Sequence, residues 1–197
     1  MKNEIIVALD VPSAKEATEA VREIGDVVSF YKVGLELFIA DGPAVLDMLK
    51  GEGKRIFLDL KLHDIPRTVE RAVQSCMTFG VELLTLHACG SKAMIEGAAQ
   101  AVKAANAHTK LLAVTVLTSM DQGDLDLLGV KRTMQEQVVA LGSLAIAAGA
   151  HGLVCSPQEV VALRRTIGPE PWLVTPGVRP VGGDVGDQKR VATPGQA

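Results

Sequence analysis

Asp59, Lys61 and Asp64 stand close together in the run Asp59-Leu60-Lys61-Leu62-His63-Asp64-Ile65-Pro66-Arg67-Thr68, which follows the apolar lead Ile56-Phe57-Leu58. On an extended strand alternate side chains share a face, so Asp59 and Lys61 point one way and Leu58, Leu60 and Leu62 the other. Burying such ions costs several kcal/mol each unless they are paired and hydrogen-bonded. A bare Asp-x-Lys is most simply a half-exposed edge-strand ion pair that contributes little. Here aliphatic residues flank the charges on both faces, and other segments also end in polar side chains. The chemistry this suggests is a fixed ammonium, kept protonated by its carboxylate neighbours, that can donate a proton.

The elements that would carry these groups repeat along the chain. Ile5-Ile6-Val7-Ala8-Leu9 reads as a buried strand ending in Asp10. Ser13 with Glu16 forms a capping box for a helix over Ala14 to Ile24. Val27 to Gly34 is a second strand with Lys32 near its end, followed by a helix from Pro43 to Lys50. The Ile56-to-Lys61 strand is third, and Pro66 suits the first turn of a helix to Phe79. Strands are expected at Val81 to His87, Leu111 to Thr118, Gly152 to Cys155 and Trp172 to Pro176. Helices are expected after Ser91, Thr133 and Ser156, while Asp121 to Val130 reads as a long Gly/Asp-rich connection. A Gly-rich loop, 177 to 191, carries Arg179, Gln188, Lys189 and Arg190, and Thr193-Pro194-Gly195-Gln196 opens another capped helix.

Seven strand-helix units with right-handed crossovers fit a parallel α/β architecture, either a doubly wound sheet or a (β/α)₈ TIM barrel. Polar residues at the end of almost every strand favour the barrel, whose site lies at the carboxyl ends of its strands. Asp10, Lys32, Asp59, Lys61, His87, Thr118 and Pro176 would then converge on one mouth. A lysine set among carboxylates there is a proton donor and not the desolvated neutral amine of a Schiff-base enzyme. His63 and His87 are candidate acid-base groups, although a strand-end histidine is more often structural.

Composition narrows the classes. At 197 residues the chain suits one domain over 1–197. A net charge of −3 without clustered Lys and Arg argues against nucleic acid as a partner. Three cysteines at no ligand spacing argue against disulfides or zinc and for a reducing, cytoplasmic setting. No apolar run approaches the roughly 18 residues of a membrane span, so no membrane association is expected.

The decamer resembles the active-site signature of the orotidine 5'-phosphate decarboxylase family, and the order Asp-x-Lys-x-x-Asp-Ile-Pro-x-Thr is far more specific than Asp-x-Lys-x-x-Asp alone. Ala8-Leu9-Asp10, Tyr31-Lys32-Val33-Gly34, Leu117-Thr118-Ser119, Thr175-Pro176-Gly177-Val178-Arg179-Pro180 and Gly186-Asp187-Gln188 extend the likeness over nearly the whole chain. The resemblance implies decarboxylation of orotidine 5'-monophosphate to uridine 5'-monophosphate with no cofactor and no metal. Lys61 would protonate the carbanion, Asp59 would sit beside the substrate carboxylate, and Lys32 would link this network to the ribose. Asp10 would bind a ribose hydroxyl, Thr118 and Ser119 the pyrimidine side, and Arg179 and Gln188 the phosphate, with Pro176 and the stretch Leu60, Leu62, His63, Ile65, Pro66 and Arg67 lining the site. Asp64 and Thr68 would reach into a partner subunit's site, which implies a homodimer with shared active sites.

Against the family pattern the sequence lacks the eighth strand and the Gly-Arg-Pro segment whose arginine completes the phosphate site. The expectation is therefore a barrel truncated before its eighth strand, with two open strand edges. Two rival readings remain. One is a magnesium-dependent sugar-phosphate decarboxylase of the same superfamily, disfavoured by Ile65-Pro66-Arg67-Thr68 and by the Thr175-to-Pro180 motif. The other is an inactive nucleotide-binding fragment.

Overall fold

Short apolar strands alternate with capped helices along the chain, in a computed structural model that describes residues 4–179, 189–190 and 192–195. The elements are β1 (Val7–Leu9), α1 (Ala14–Ile24), β2 (Phe30–Gly34), α2 (Leu35–Asp41), α3 (Pro43–Gly51), β3 (Arg55–Leu62), α4 (Pro66–Met77), β4 (Leu83–His87) and α5 (Lys92–Ala104). There follow β5 (Lys110–Val114), α6 (Gln122–Leu127), α7 (Met134–Ala147), β6 (Gly152–Val154), α8 (Val160–Ile167) and β7 (Trp172–Val174). The strands form one curled, wholly parallel sheet in sequence order, with β1 and β7 at its edges among the described residues. Strands in chain order joined by helices are the β/α-barrel arrangement, here as a seven-stranded arc.

Local signals set most boundaries. Ser13 accepts a hydrogen bond from the Glu16 amide at the start of α1, and Thr133 with Glu136 completes a capping box for α7. Ser156 and Glu159 also form a capping box, but of a 3-10 turn, Pro157–Glu159, that runs into α8. Pro66 occupies the first turn of α4. Two helices go beyond the sequence expectations. α2 follows directly from β2, and α6 occupies the Gly/Asp-rich connection, where Asp121 and Asp124 build a capping box. β5 ends at Val114 instead of Thr118, as Thr115 turns both its amide and its hydroxyl to the Val154 carbonyl. The helix expected from Thr193 shows a turn at 194–195, and Gln196 lies outside the described residues.

The two faces of the sheet bury different things. Tyr31, Val33, Ile56, Leu58, Leu84, Leu86, Leu111, Ala113 and Leu153 face the helices and join Ala17, Val21, Leu37, Val45, Val69, Ile95 and Val138 in the main core. Alternate residues Phe30, Phe57, Leu83 and Leu112 form a separate cluster on the concave face, with Ile6, Val154, Trp172 and Val174 against it. Gly152 permits β6 to lie close to β7 there: a Cβ would stand 2.6 Å from Trp172 Cβ and 2.9 Å from Leu112 Cδ2. This aromatic layer is the floor beneath the strand ends.

At the amino ends of the strands the floor is sealed by Arg55. Its guanidinium lies 4.1 Å from the Phe30 ring centroid, pairs with Glu82 at 2.5 and 2.7 Å, and also reaches Glu4. Arg55 holds the Glu82 carboxyl below its usual value of 4.5, chiefly through that hydrogen bond and against the opposing effect of burial. A carboxylate with a depressed folded-state pKa contributes its stability above the unfolded value and loses it as pH falls through the folded one. Glu82→Gln should therefore lower the melting temperature at pH 7, with the gap from the parent protein closing as the pH is taken progressively below about 4.5. A gap that stayed constant across that range in thermal denaturation would contradict this account.

Candidate active site

The concave face carries its charges one rung above the aromatic floor. Along β2 the alternation places Lys32 two residues beyond Phe30, along β3 Asp59 two beyond Phe57, and along β4 Thr85 and then His87 beyond Leu83. Asp10 follows β1 directly. The strands bring these side chains from distant parts of the sequence to one mouth.

Asp59 is the centre of the network. Its side chain is 11% exposed, and its Oδ2 accepts Lys61 Nζ at 2.8 Å with Lys32 Nζ at 3.9 Å. Lys32 also donates to Asp10 Oδ1 at 2.9 Å. The order across Asp10, Lys32, Asp59 and Lys61 is thus carboxylate, ammonium, carboxylate, ammonium. Gly34 leaves room for it, since a Cβ there would stand 3.2 Å from Lys32 Nζ and 3.8 Å from Asp10 Oδ1.

The strand under these charges is not regular. Between β3 and β4 the register passes from Leu58–Leu84 to Leu62–Leu86, so extra residues of β3 bulge out of the ladder. Lys61 sits in that bulge with φ of 51°, a left-handed conformation that costs a side-chain-bearing residue on the order of 1 kcal/mol. Simple alternation predicts the shared face of Asp59 and Lys61 correctly and misses this turn of the backbone. Leu58, Leu60 and Leu62 do pack against the helix-side core.

Thr85 was not among the residues singled out from the sequence. It is fully buried, accepts a hydrogen bond from the Lys61 amide at 2.8 Å and donates its hydroxyl to Asp59 Oδ1 at 2.9 Å. The available signal was a lone hydroxyl in Leu83-Leu84-Thr85-Leu86-His87, spaced two residues from His87 and so on its face.

The two histidines also lie at the mouth. Their ring centroids are 5.3 Å apart, and Gly90 admits the His63 ring where a Cβ would come within 2.9 Å of it. Among the described residues His87 Nδ1 is buried without a hydrogen-bond partner. Burial first, then His63 and Lys61, push the His87 imidazole below its ordinary range, with Asp59 opposing.

Beyond Lys61 the chain turns outward. His63, Asp64, Ile65, Pro66, Arg67 and Thr68 are all exposed. Asp64 makes no ion pair among the described residues; its Oδ1 accepts the Ile65 amide at 2.6 Å. Asp64 and Thr68 therefore do not join the charged network within one chain.

The far side of the mouth is held by segments after β5 and β7. Thr118 is buried and Ser119 half-buried beyond β5. Pro176 and Arg179 are half-buried beyond β7, and the Arg179 amide donates to the Ala192 carbonyl in a short parallel bridge. Gln188 and Pro180 lie outside the described residues. Lys189 returns to the β5 side, donating through its amide to the Thr118 carbonyl and through Nζ to Asp121 at 2.7 Å and Asp124 at 3.1 Å. A cleft of about 410 Å³ lined by Ser119, Met120, Asp124, Leu127, Leu128 and Lys189 adjoins these residues. A second groove, of about 400 Å³, opens beside His151 at the amino ends of β5 and β6, away from the charges. Among the described residues no group of three or more His, Cys, Asp and Glu side chains is placed to hold a metal, and no helix is long and apolar enough to cross a membrane.

A parallel β/α-barrel sheet with alternating lysines and aspartates at the carboxyl ends of its first three strands defines a barrel protein whose site works by fixed charge. Residues 3–197 match the orotidine 5'-phosphate decarboxylase / HUMPS family, and the chain belongs to it. It is 49% identical to the orotidine 5'-phosphate decarboxylase of Anaeromyxobacter sp. (strain K), covering 98% of this chain and 84% of that one. It is 46% identical to that of Moorella thermoacetica, over 100% of this chain and 80% of the relative. The crystal structure of orotidine 5'-phosphate decarboxylase from Lactobacillus acidophilus superposes with a TM-score of 0.85 at 40% identity, covering 91% of this chain and 83% of that one.

Removing the shared anion should expose the repulsion it suppresses. Breaking a buried pair costs about 3–5 kcal/mol, and the 31% exposure of Lys61 reduces this, so Asp59→Ala is expected to lose about 2 kcal/mol in chemical denaturation. The double variant Asp59→Ala/Lys61→Ala should lose about 1 kcal/mol less than the sum of the single variants, because it also removes one of the two stranded ammonium groups. Strict additivity would show that the two residues are not energetically coupled.

Proposed function

We propose that this protein decarboxylates orotidine 5'-monophosphate to uridine 5'-monophosphate without a cofactor, with Lys61 as the proton donor. The observation that carries this reading is the Asp10–Lys32–Asp59–Lys61 array, in which one carboxylate oxygen is shared by two ammonium groups at the mouth of the sheet. In the proposed step the bond between carbon six of the pyrimidine and its carboxylate breaks and carbon dioxide leaves. The electron pair stays on carbon six and takes a proton from Lys61 Nζ.

No conjugated electron sink receives that pair, so the barrier must be lowered by charge already in place and by binding energy from remote parts of the substrate. Asp59 holds the Lys61 ammonium at 2.8 Å and would lie beside the departing carboxylate. Lys32 and Asp10 would meet the ribose. Arg179 would hold the phosphate together with Gln188, while Thr118 and Ser119 would contact the pyrimidine.

A homodimer with shared sites follows from the same reading. The exposed run from His63 to Thr68 begins two residues after Lys61, and its apolar member Ile65 is 67% exposed. Asp64 and Thr68 would enter the partner's site across that contact. The three free cysteines, Cys76, Cys89 and Cys155, fit a reducing cytoplasm.

Mixed with orotidine 5'-monophosphate in the presence of a chelator, the protein should show loss of pyrimidine absorbance, and Lys61→Ala should abolish it. Turnover that required magnesium would favour the sugar-phosphate branch of the superfamily. Nucleotide binding with no turnover would favour an inactive binding protein.

Sharing of sites has its own test. Lys61→Ala and Asp64→Ala chains, each inactive alone, should regain about one quarter of parental activity when unfolded and refolded together, since half the dimers are mixed and each mixed dimer has one intact site. No recovery would place Asp64 in its own chain's site or outside catalysis.

A further inference from the structure

We propose that Thr85 is a positioning residue of this site, its hydroxyl fixing at once the backbone from which Lys61 springs and the carboxylate that holds the Lys61 ammonium. The inference rests on the reading of Lys61 as proton donor and adds to it a residue that makes that donor stationary.

The hydrogen bonds around Thr85 leave its hydroxyl one arrangement. Oγ1 accepts the Lys61 amide at 2.8 Å, and Asp59 Oδ1 stands 2.9 Å away as an acceptor only, so the hydroxyl proton must point at Asp59. With Oδ1 occupied, Oδ2 is the oxygen turned to Lys61 at 2.8 Å and Lys32 at 3.9 Å. One hydroxyl thereby selects which carboxylate oxygen carries both ion pairs.

The backbone half of the contact has a separate cause. The bulge removes Lys61 from the β3–β4 ladder, and its φ of 51° turns its amide away from the usual strand partner. A buried amide without an acceptor is strongly disfavoured, and Thr85 provides one. Because Thr85 is fully buried, water has no route to substitute for it. Leu or Val at this position would serve the packing of β4 equally well; only a hydroxyl donates to Asp59 and accepts from Lys61 together. A fixed ammonium matters most in the transition state, when charge develops on the reacting carbon, and displacement of a catalytic group by 1 Å can cost on the order of 100-fold in rate.

The test compares Thr85→Val, which keeps shape and loses the hydroxyl, with Thr85→Ser, which keeps the hydroxyl and loses a methyl. Steady-state kinetics on orotidine 5'-monophosphate and binding of the product, uridine 5'-monophosphate, are measured for both, beside Lys61→Ala and thermal melts. The valine variant should lose about 10- to 100-fold in kcat with KM and product affinity within about twofold of the parent, since Thr85 touches no phosphate contact and Lys32 keeps its closer partner Asp10 at 2.9 Å. The serine variant should retain kcat within about threefold. Should the valine chain fail to fold, Thr85→Ala carries the same comparison without a methyl pressed against Asp59.

Equal losses for valine and serine, or a rise in KM with kcat unchanged, would make Thr85 a packing or binding residue and overturn the proposal. An inactive Lys61→Ala beside an unaltered Thr85→Val would overturn the positioning role alone. Turnover surviving in Lys61→Ala would overturn the proton-donor reading and this proposal with it.

Discussion

One carboxylate keeps two ammonium groups side by side at the end of a parallel sheet, and much of the surrounding structure is arranged around that fact. The gross attraction between Asp59 and Lys61 at 2.8 Å is about 6 kcal/mol at an effective dielectric of 20. Removing each ion from water costs several kcal/mol in return. The two largely cancel, so the network is not a source of fold stability. The main core, more than thirty buried residues between sheet and helices, supplies that stability and holds the charges where they are.

The curled sheet separates these tasks by face. Helix-side residues pack the bulk of the apolar surface, while the concave side carries the Phe30, Phe57, Leu83 and Leu112 layer with a charged network above and another below. The lower one, Arg55 with Glu82 and Glu4, seals the amino ends. The upper one faces the mouth. An apolar layer between them keeps water from reaching Asp59 from beneath, and lower effective dielectric strengthens every interaction in the site. Period-two alternation along β2, β3 and β4 is what sorts the residues into these layers.

This is also why some of the molecule could be read from its sequence. Alternating apolar runs and capping signals such as Ser13 with Glu16 report local causes, and the strand-helix order followed from them. Asp59 and Lys61 were legible because charged residues interrupt an otherwise apolar strand. Thr85 was hidden because a β-branched residue in a strand has a sufficient packing explanation, and its partners are 24 and 26 residues away. The Lys61 bulge was hidden for the same reason, as a register shift belongs to two strands together. α2 escaped notice because Leu35 to Asp41 has no side-chain cap, and α6 because its Gly and Asp residues resemble a connection until Asp121 and Asp124 cap each other. Asp64 and Thr68 point away from the network of their own chain, and no property of a single sequence fixes what they meet.

The Arg179 and Thr118 sides of the mouth are joined through the backbone, and in the proposed reaction this bears on how remote binding energy could reach the reacting carbon. Arg190, buried beneath the segment after β5, donates to the Val116 carbonyl at 3.1 Å and the Leu117 carbonyl at 2.9 Å and pairs with Glu159. The Lys189 amide holds the Thr118 carbonyl, and the Ala192 carbonyl accepts the Arg179 amide. Thr118 and Arg179 are thereby tied to one short stretch of chain. A substrate gripped by Arg179 at its phosphate would meet Thr118 in a fixed relation, with little freedom lost on binding beyond its own. Binding energy from the phosphate can be used for catalysis only if the contacts at the two ends of the substrate are rigidly related. The Glu159 that completes this tie also caps the turn before α8, so a helix of the outer layer anchors Arg190 and, through it, the segment after β5.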